Sequence, residues 1–385
     1  MNICIISHRY PYKGNMVHVF IKKLVDEWAK MGHTCVVIAP LSIVHLMIGK
    51  EKGAPKKQTT SVNNGRSVVV YRPRYYTIPK LKLFGISINA NTEQRCIEKT
   101  IKKTGIEFDV IYCHFFSMAV VAWHYANENH IPLFVATGES FIGRLNKPCF
   151  SFSIEKMRKT ICGVVAVSNK NKNEAVNLGY ANATDAQVFP NGTNLRVFKK
   201  LNKVECRKKM HLPLDLFIVI CVGQFVERKG QKRLLEAIDV LNYDKIGTIF
   251  IGKGDDTLEH KSIVYKGTVE NDLLPYYLNA ADVFVLPTLN EGCCNSIVEA
   301  LACGLPIISS DKPFNHDILN ADNSLLVDPN DINCISKAIE KLYVDNRLRS
   351  FLASKSHETG QNLSIEKRAE RIINFFNEKT CKKTW

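Results

Sequence analysis

A chain of 385 residues, 45% hydrophobic and 23% charged, is too long for one hydrophobic core and ordinary in composition for a soluble globular protein, so two domains are the first expectation. Its net charge of +15 calls for an anionic partner, and the absence of any zinc-finger or RNP pattern leaves a phosphorylated substrate or an anionic membrane surface ahead of nucleic acid. No apolar run has the length of a membrane span and MNICIISHRYP lacks the layout of a signal peptide, so a cytoplasmic protein is expected. The 13 cysteines are scattered, with no CxxC pair, and many sit in apolar runs (Cys4, Cys35, Cys113, Cys221), which favours buried reduced thiols over a disulfide framework.

Residues 2–7 read as a buried strand, and Val17, Phe20, Leu24, Trp28 and Met31 share one face of a helix running from Met16 to Met31, which Gly32 closes. The intervening SHRYPYKGN is a strand-to-helix loop of the kind that holds ligands in open α/β sheets, but it has no G-x-G-x-x-G. A second strand follows at Cys35–Ala39. From Ile48 to Lys103 the periodicity weakens, and Lys50, Lys52, Lys56, Lys57, Arg66, Arg72, Arg74, Lys80 and Lys82 alternate with Tyr71, Tyr75, Tyr76, Leu81, Leu83 and Phe84. Such a stretch suits an anionic bilayer or a lipid diphosphate, and it equally suits a long insertion with a solvated basic edge.

Alternation then resumes: strand 110–113, helix 119–128, strands 133–137 and 164–167, a helix through 174–178 and strand 187–189. The turn-rich Pro190–Asn194 reads as a boundary. A second series follows: strand 217–222, the loop Gly223 to Gly230, helix 233–241, strands 248–251 and 263–265, a helix near 273–278, strands 283–286, 307–309 and 325–327, and helices from Ile332 and Ser364. Two tandem doubly wound α/β domains account for this order, residues 1–192 and 193–363, with a C-terminal helix over 364–380 returning to the first.

One stretch, NEGCCNSIVEALACGLPIISSD at Asn290–Asp311, carries chemistry. Asn295 and Ser296 are N-cap types, Ile297 to Ala302 favours helix and Gly304-Leu-Pro306 stops it, which places Glu291 in the loop before a short helix and Glu299 in its first turn. A helix N-terminus offers unpaired N–H groups, so Gly292 to Asn295 suit a phosphate, and the two carboxylates suit hydroxyls. A sugar nucleotide has both. Taken alone, the pair is explained as well by one Glu that favours the helix dipole and one solvated loop Glu. Adjacent Cys293 and Cys294 suit neither zinc nor a disulfide and read as loop residues lining the site.

The E-x7-E pair within EGCCNSIVEALACGLPII, together with GQFVERKG at 223–230, FPNGTN, AADVFVLPT, YPYKGN and MGHTCVVIAP, in that family's order and spacing, resembles the family-4 retaining glycosyltransferases over nearly the whole chain. The resemblance implies the GT-B fold: two Rossmann-like doubly wound parallel-sheet domains facing across a cleft. It implies that Arg228 and Lys229, with Gly223 beside them, grip the donor pyrophosphate, because a departing nucleoside diphosphate builds charge that fixed cations stabilise in a fold that works without a metal. It implies further that Glu299 accepts from the donor ribose, that Glu291 lies beside the transferred sugar, that amides of Gly292, Cys293, Cys294 and Asn295 hold sugar and phosphate, and that Gly14 and Asn15 approach the donor phosphates. This chain departs from the family pattern at Asn15, where a second glycine is frequent, and at Gln224, where an arginine is frequent. Gly138-Glu139-Ser140 stands where many members have a histidine, and Glu139 is expected in its place. His18 and His114 are expected to be structural.

The expected reaction is transfer of a hexose-type sugar from a UDP-, GDP- or ADP-sugar, without metal or cofactor, to a hydroxyl of a glycan or lipid-diphosphate-linked glycan. Retention is expected through same-face attack, in capsule, O-antigen or exopolysaccharide assembly at the inner face of the plasma membrane. A non-catalytic nucleotide-sugar-binding protein and a GT-B nucleotide-sugar 2-epimerase are the alternatives, the latter without reason to carry the E-x7-E loop. A Rossmann oxidoreductase lacks its fingerprint, since Gly252-Lys-Gly254 is followed by Thr257 at the third glycine position.

Overall fold

The computed structural model describes residues 1–15, 17–49, 51, 53–62, 65–77, 82–83, 86–143, 145, 152–255 and 257–381. Met16, where the first helix was expected to begin, and Lys50, Lys52, Lys80, Leu81 and Phe84 of the basic stretch lie outside the described residues, as do the side chains of Lys82 and Leu83.

The chain forms two units, Met1–Phe189 with Ala369–Trp385, and Pro190–Arg368. The first contains β1 (Asn2–Ser7), α1 (Val19–Lys30), β2 (Thr34–Ile38), β3 (Leu41–Ser42), α2 (Ile43–Met47), β4 (Lys57–Val62), β5 (Arg66–Tyr71), β6 (Arg74–Tyr75), β7 (Lys82–Leu83), β8 (Ile86–Ser87), α3 (Ile88–Thr104), β9 (Val110–His114), α4 (Phe116–Glu128), β10 (Leu133–Thr137), α5 (Ile154–Thr160), β11 (Ile161–Ala166), α6 (Asn169–Asn177) and β12 (Ala186–Val188). Its sheet has the order β12-β11-β10-β9-β1-β2-β5-β4, parallel except at the β4–β5 hairpin. The inner strands are continuous apolar runs because both faces are covered: every residue of β9 and β10 is buried.

The second unit contains α7 (Lys203–Lys209), β13 (Phe217–Val222), α8 (Gln231–Leu241), β14 (Ile246–Ile251), β15 (Ile263–Gly267), α9 (Leu274–Ala280), β16 (Val283–Leu286), α10 (Asn295–Cys303), β17 (Ile307–Ser310), β18 (Ser324–Val327), α11 (Ile332–Val344) and α12 (Asn346–Gln361). Its sheet runs β15-β14-β13-β16-β17-β18 and is parallel throughout. The loops after β13 and β16 therefore leave the same edge of adjacent strands.

The last helix, α13 (Ile365–Cys381), starts in the second unit and passes into the first at Ala369. There Phe376 is fully buried, with ring centroids 5.7 Å from Trp28, 5.6 Å from Tyr112 and 4.4 Å from Phe134, and Trp28 Nε1 donates to the Ala369 carbonyl at 3.1 Å. The unit boundary falls after Phe189 rather than after Gly192.

The segment from 48 to 103, where the periodicity of the sequence weakens, differs most from the sequence reading. It supplies the β4–β5 hairpin that extends the sheet and the 17-residue helix α3. β4 is an edge strand, KQTTSV, with alternately exposed residues and little apolar content to announce it. α3 buries only Ala90, Ile97 and Ile101 among its apolar residues, and is bounded by the Ser87 side chain, which accepts from Ala90 N, and by Gly105 in the left-handed region.

Candidate functional site

The loop after β16 sets the position of Glu291. Strand VFVL is entirely buried, and beyond it the chain is strapped to the neighbouring loop: Leu289 N donates to the Arg228 carbonyl at 2.8 Å. α10 then begins at Asn295, with Cys294 as its N-cap and no side-chain capping bond. This corrects the expectation that Asn295 or Ser296 caps the helix. Ser296 instead donates across to the Val222 carbonyl at 3.0 Å, tying the helix start to the end of β13, and Asn295 is exposed. Glu299 consequently lies one residue beyond the first turn, buried at 8% exposure. Among the described residues the backbone N–H groups of Gly292, Cys293 and Cys294 have no acceptor. Cys293 is buried, and burial pushes its thiol up to about 12; its sulfur and carbonyl accept from Asn191 N at 3.4 Å and Asn191 Nδ2 at 2.9 Å.

The cations come from the loop after β13. Gly223 closes that strand, its N–H donating to Ile251 O at 2.9 Å; a Cβ on it would meet the Lys229 side chain at 3.4 Å. A 3-10 turn over Glu227–Lys229 ends at Gly230, which has φ 80 and whose added Cβ would lie 2.4 Å from Pro287 O. Only glycine meets both conditions, so this residue lets the cation loop pack directly on the carboxylate loop. Three donors converge on one oxygen of Glu291: Arg228 Nη1 at 2.6 Å, Lys229 Nζ at 2.7 Å and Thr288 Oγ1 at 3.0 Å. Arg228 Nη1 also donates to Asn290 O.

Glu291 thus supplies these cations with a carboxylate from within the chain. Two cations against one carboxylate still leave a surplus of one positive charge (2 − 1), with Lys229 and Glu291 buried at 8% and 9% exposure and the Arg228 side chain 36% exposed. Burial is the largest influence on Lys229 and works to lower its pKa, but attraction to Cys294 and Glu291 outweighs it, so the ammonium lies above the ordinary lysine value and stays charged. Removing one member of such a buried pair typically costs about 3–5 kcal/mol.

The remaining predicted residues lie in the first unit. Glu139 follows β10, and its Oε2 accepts from Thr137 Oγ1 at 2.9 Å and Gly138 N at 3.0 Å. Its own carbonyl accepts from Asn171 Nδ2 at 2.9 Å, and Lys170 Nζ donates to Ser140 O. Burial, helped by Glu174, pushes the Glu139 carboxyl above its ordinary value, against the pull of the Gly138 and Thr137 hydrogen bonds. Gly14 (φ 92) sits in a tight turn closed by Tyr12 N to Asn15 O at 3.0 Å and Asn15 N to Tyr12 O at 2.9 Å. The Asn15 side chain is committed to Val17 N (3.2 Å) and Glu51 Oε2 (3.3 Å). His18 and His114 enter an aromatic cluster with Phe20 and Phe115, and burial lowers the pKa of His18. Arg72, read from the sequence as a surface cation, is 1% exposed.

Residues 17–197 match the family model Glycosyltransferase Family 4, and residues 202–359 match Glycosyl transferases group 1. The putative teichuronic acid biosynthesis glycosyltransferase TuaC of Bacillus subtilis is 30% identical over 358 residues, 89% of each chain. The chain belongs to the group 1 glycosyltransferases. An Escherichia coli relative, UDP-Gal:alpha-D-GlcNAc-diphosphoundecaprenol alpha-1,3-galactosyltransferase, is 24% identical over 72% of this chain and 77% of its own. Sucrose-phosphate synthase from Thermosynechococcus elongatus shares the fold, with TM-score 0.77 at 17% identity over 100% of both chains.

In this glycosyltransferase of GT-B fold, sequence reasoning missed Thr288, which ended a quoted motif but carried no local signal for its bond to Glu291, and the Glu51 cluster around Asn15. Among the described residues no helix is long and apolar enough to cross a membrane, and no group of three or more His, Cys, Asp or Glu side chains is placed to hold a metal ion. The raised pKa of Glu139 fixes a pH dependence. Its ionisation opposes folding; the penalty is absent below the unfolded-state pKa and enters as pH rises through the folded one. Urea denaturation should find Glu139→Gln more stable than the unsubstituted protein at pH 7, with the gap closing towards pH 4. A variant less stable at pH 7 contradicts the assignment.

Proposed function

We propose that this glycosyltransferase moves a hexose-type sugar from a nucleoside diphosphate sugar, with retention and without a metal, to a hydroxyl of a lipid-diphosphate-linked glycan in cell-surface polysaccharide biosynthesis. The observation that carries the proposal is the cation surplus of Arg228 and Lys229 at Glu291, beside the uncapped start of α10. A donor diphosphate placed there gains both cations and the helix N–H groups, and Glu291 is released towards the sugar hydroxyls. Glu299, buried further along the same helix, serves the ribose. In the reaction the C1–O bond to the β-phosphate breaks, the acceptor oxygen bonds C1 on the same face, and the acceptor proton passes to the departing phosphate oxygen. Fixed cations stabilise that phosphate as its charge grows. The names of the TuaC and galactosyltransferase relatives support a uridine nucleotide, a lipid-diphosphate acceptor and polysaccharide assembly.

An assay of nucleoside diphosphate release with UDP-, GDP- and ADP-sugars should show turnover that survives EDTA. Lys229→Gln should lower kcat on the order of 10²–10³-fold. Glu299→Gln should act mainly on the donor KM. Loss of activity in EDTA overturns the metal-free mechanism, and an unchanged kcat in Lys229→Gln removes Lys229 from it. Nucleotide binding with no release under any condition leaves a sugar-nucleotide-binding protein as the better reading.

The acceptor places the enzyme on the inner face of the plasma membrane. Arg72 is withdrawn from that surface by its burial, but Met47 at the end of α2, Ile48 and Tyr76 are 81%, 58% and 74% exposed, and Lys56, Lys57 and Arg66 are exposed on the same β4–β5 segment of the chain. Apolar side chains with flanking cations suit an anionic bilayer. Replacing Met47 and Ile48 by serine and Lys56 and Lys57 by glutamine should reduce co-sedimentation with anionic liposomes. Unchanged sedimentation favours a soluble acceptor.

A further inference from the structure

The first unit contains a second cluster of buried charge, next to Asn15. β1, β2 and β5 are neighbours in the sheet; the chain just beyond β1 and β5 supplies Arg9, Arg72 and Arg74, and the chain after β2, past β3 and α2, supplies Glu51. That edge is where open parallel sheets hold ligands. Arg72 leaves β5 directly and is 1% exposed; its Nη2 donates to the Tyr10 and Pro11 carbonyls at 3.1 and 2.9 Å, while Nη1 is buried without an acceptor among the described residues. Arg74 repeats the pattern, with Nη2 donating to Ala54 O at 2.6 Å and Nη1 buried without an acceptor. Arg9 pairs with Glu51 Oε1 at 3.1 Å, and the other Glu51 oxygen accepts from Tyr12 OH at 3.2 Å and Asn15 Nδ2 at 3.3 Å. Glu51 itself is 2% exposed.

Three guanidiniums therefore lie around one carboxylate, a surplus of two positive charges (3 − 1), at a recess of about 10 Å³, partly open to solvent, that Arg9, Tyr12, Asn15, Glu51 and Arg72 line. A buried charged donor left without an acceptor carries its full desolvation cost, so such an arrangement persists best when something offsets it. The Tyr12 ring beneath Arg72, 5.3 Å from the guanidinium carbon, is a weak substitute. The planar fork of arginine matches the two oxygens of a carboxylate or phosphate, and the site already holds one carboxylate, that of Glu51.

We propose that this recess binds an oxyanion, a carboxylate or phosphate group of the acceptor, which takes the unpartnered Arg72 nitrogen and competes with Glu51 for Arg9. The recess has room for about one oxygen atom of such a group, so it would select an acceptor by its charged group. Assignment of the anion to the acceptor rests on the glycosyl-transfer reading; anion binding by the free protein does not.

The test is calorimetric titration of the full chain at low salt with glucuronate, a carboxylate probe, and with inorganic pyrophosphate, repeated on Glu51→Gln and Arg9→Gln. Arg9 is 41% exposed, which favours folding of its variant, and circular dichroism checks both. Removing the internal competitor should tighten binding about tenfold, and removing Arg9 should weaken it about tenfold, as for one charge-assisted contact. These opposite signs mark the recess, and they should persist in the Lys229→Gln background, which lacks a cation of the second unit's site. Opposite shifts for glucuronate assign a uronate acceptor, and opposite shifts for pyrophosphate assign a phosphate. If neither probe shows them, the proposal is overturned, while turnover of a nucleotide sugar is judged separately by product release.

Discussion

A single carboxylate oxygen, that of Glu291, organises the second unit by accepting from Arg228, Lys229 and Thr288 at once. Those donors reach it because β13 and β16 are adjacent parallel strands whose loops leave the same sheet edge. Gly230 lets the loops touch, the Arg228 carbonyl receives Leu289 N, and Ser296 ties α10 to the end of β13. Each contact is modest, but together they hold two cations on one carboxylate, Lys229 buried and Arg228 partly exposed. The fold thereby places buried positive charge beside open helix N–H groups, an arrangement suited to an anion that arrives with the substrate and leaves carrying more charge.

The same physics recurs in the first unit with a different vocabulary. There arginines replace the Arg–Lys pair and Glu51 replaces Glu291 as the internal carboxylate. In both places the cations outnumber the acids, so part of the +15 net charge is invested in built sites rather than spread over a solvated surface. Arg72 shows why a count of charges misleads: in the sequence it belongs to a basic stretch, and in the structure it is among the most buried large side chains.

What the sequence revealed follows from where its signals are local. Strands 2–7, 133–137, 217–222 and 283–286 are apolar runs bounded by turns, and their edges coincide with the observed strands. The E-x7-E spacing and the glycine-flanked GQFVERKG are also local and led to Glu291, Glu299, Arg228 and Lys229. The β4–β5 hairpin was hidden because an edge strand such as KQTTSV needs no apolar face, and α3 because its buried stripe is thin among lysines and polar residues. The N-cap of α10 was misassigned because the Ser296 hydroxyl is used by Val222, far away in sequence, and no local rule anticipates that competition. Contacts made across long separations, Lys229 with Glu291 or Arg9 with Glu51, are set by strand order alone.

The central claim is that Arg228 and Lys229 wait on Glu291 for the diphosphate of a nucleotide sugar. A crystal structure with a uridine diphosphate bound tests it most directly. The account predicts the β-phosphate within ion-pair distance, about 4 Å, of both Lys229 Nζ and the Arg228 guanidinium, over the start of α10 and with Glu291 turned away. A bound nucleotide whose phosphates lie elsewhere, with both cations still held on Glu291, would contradict it.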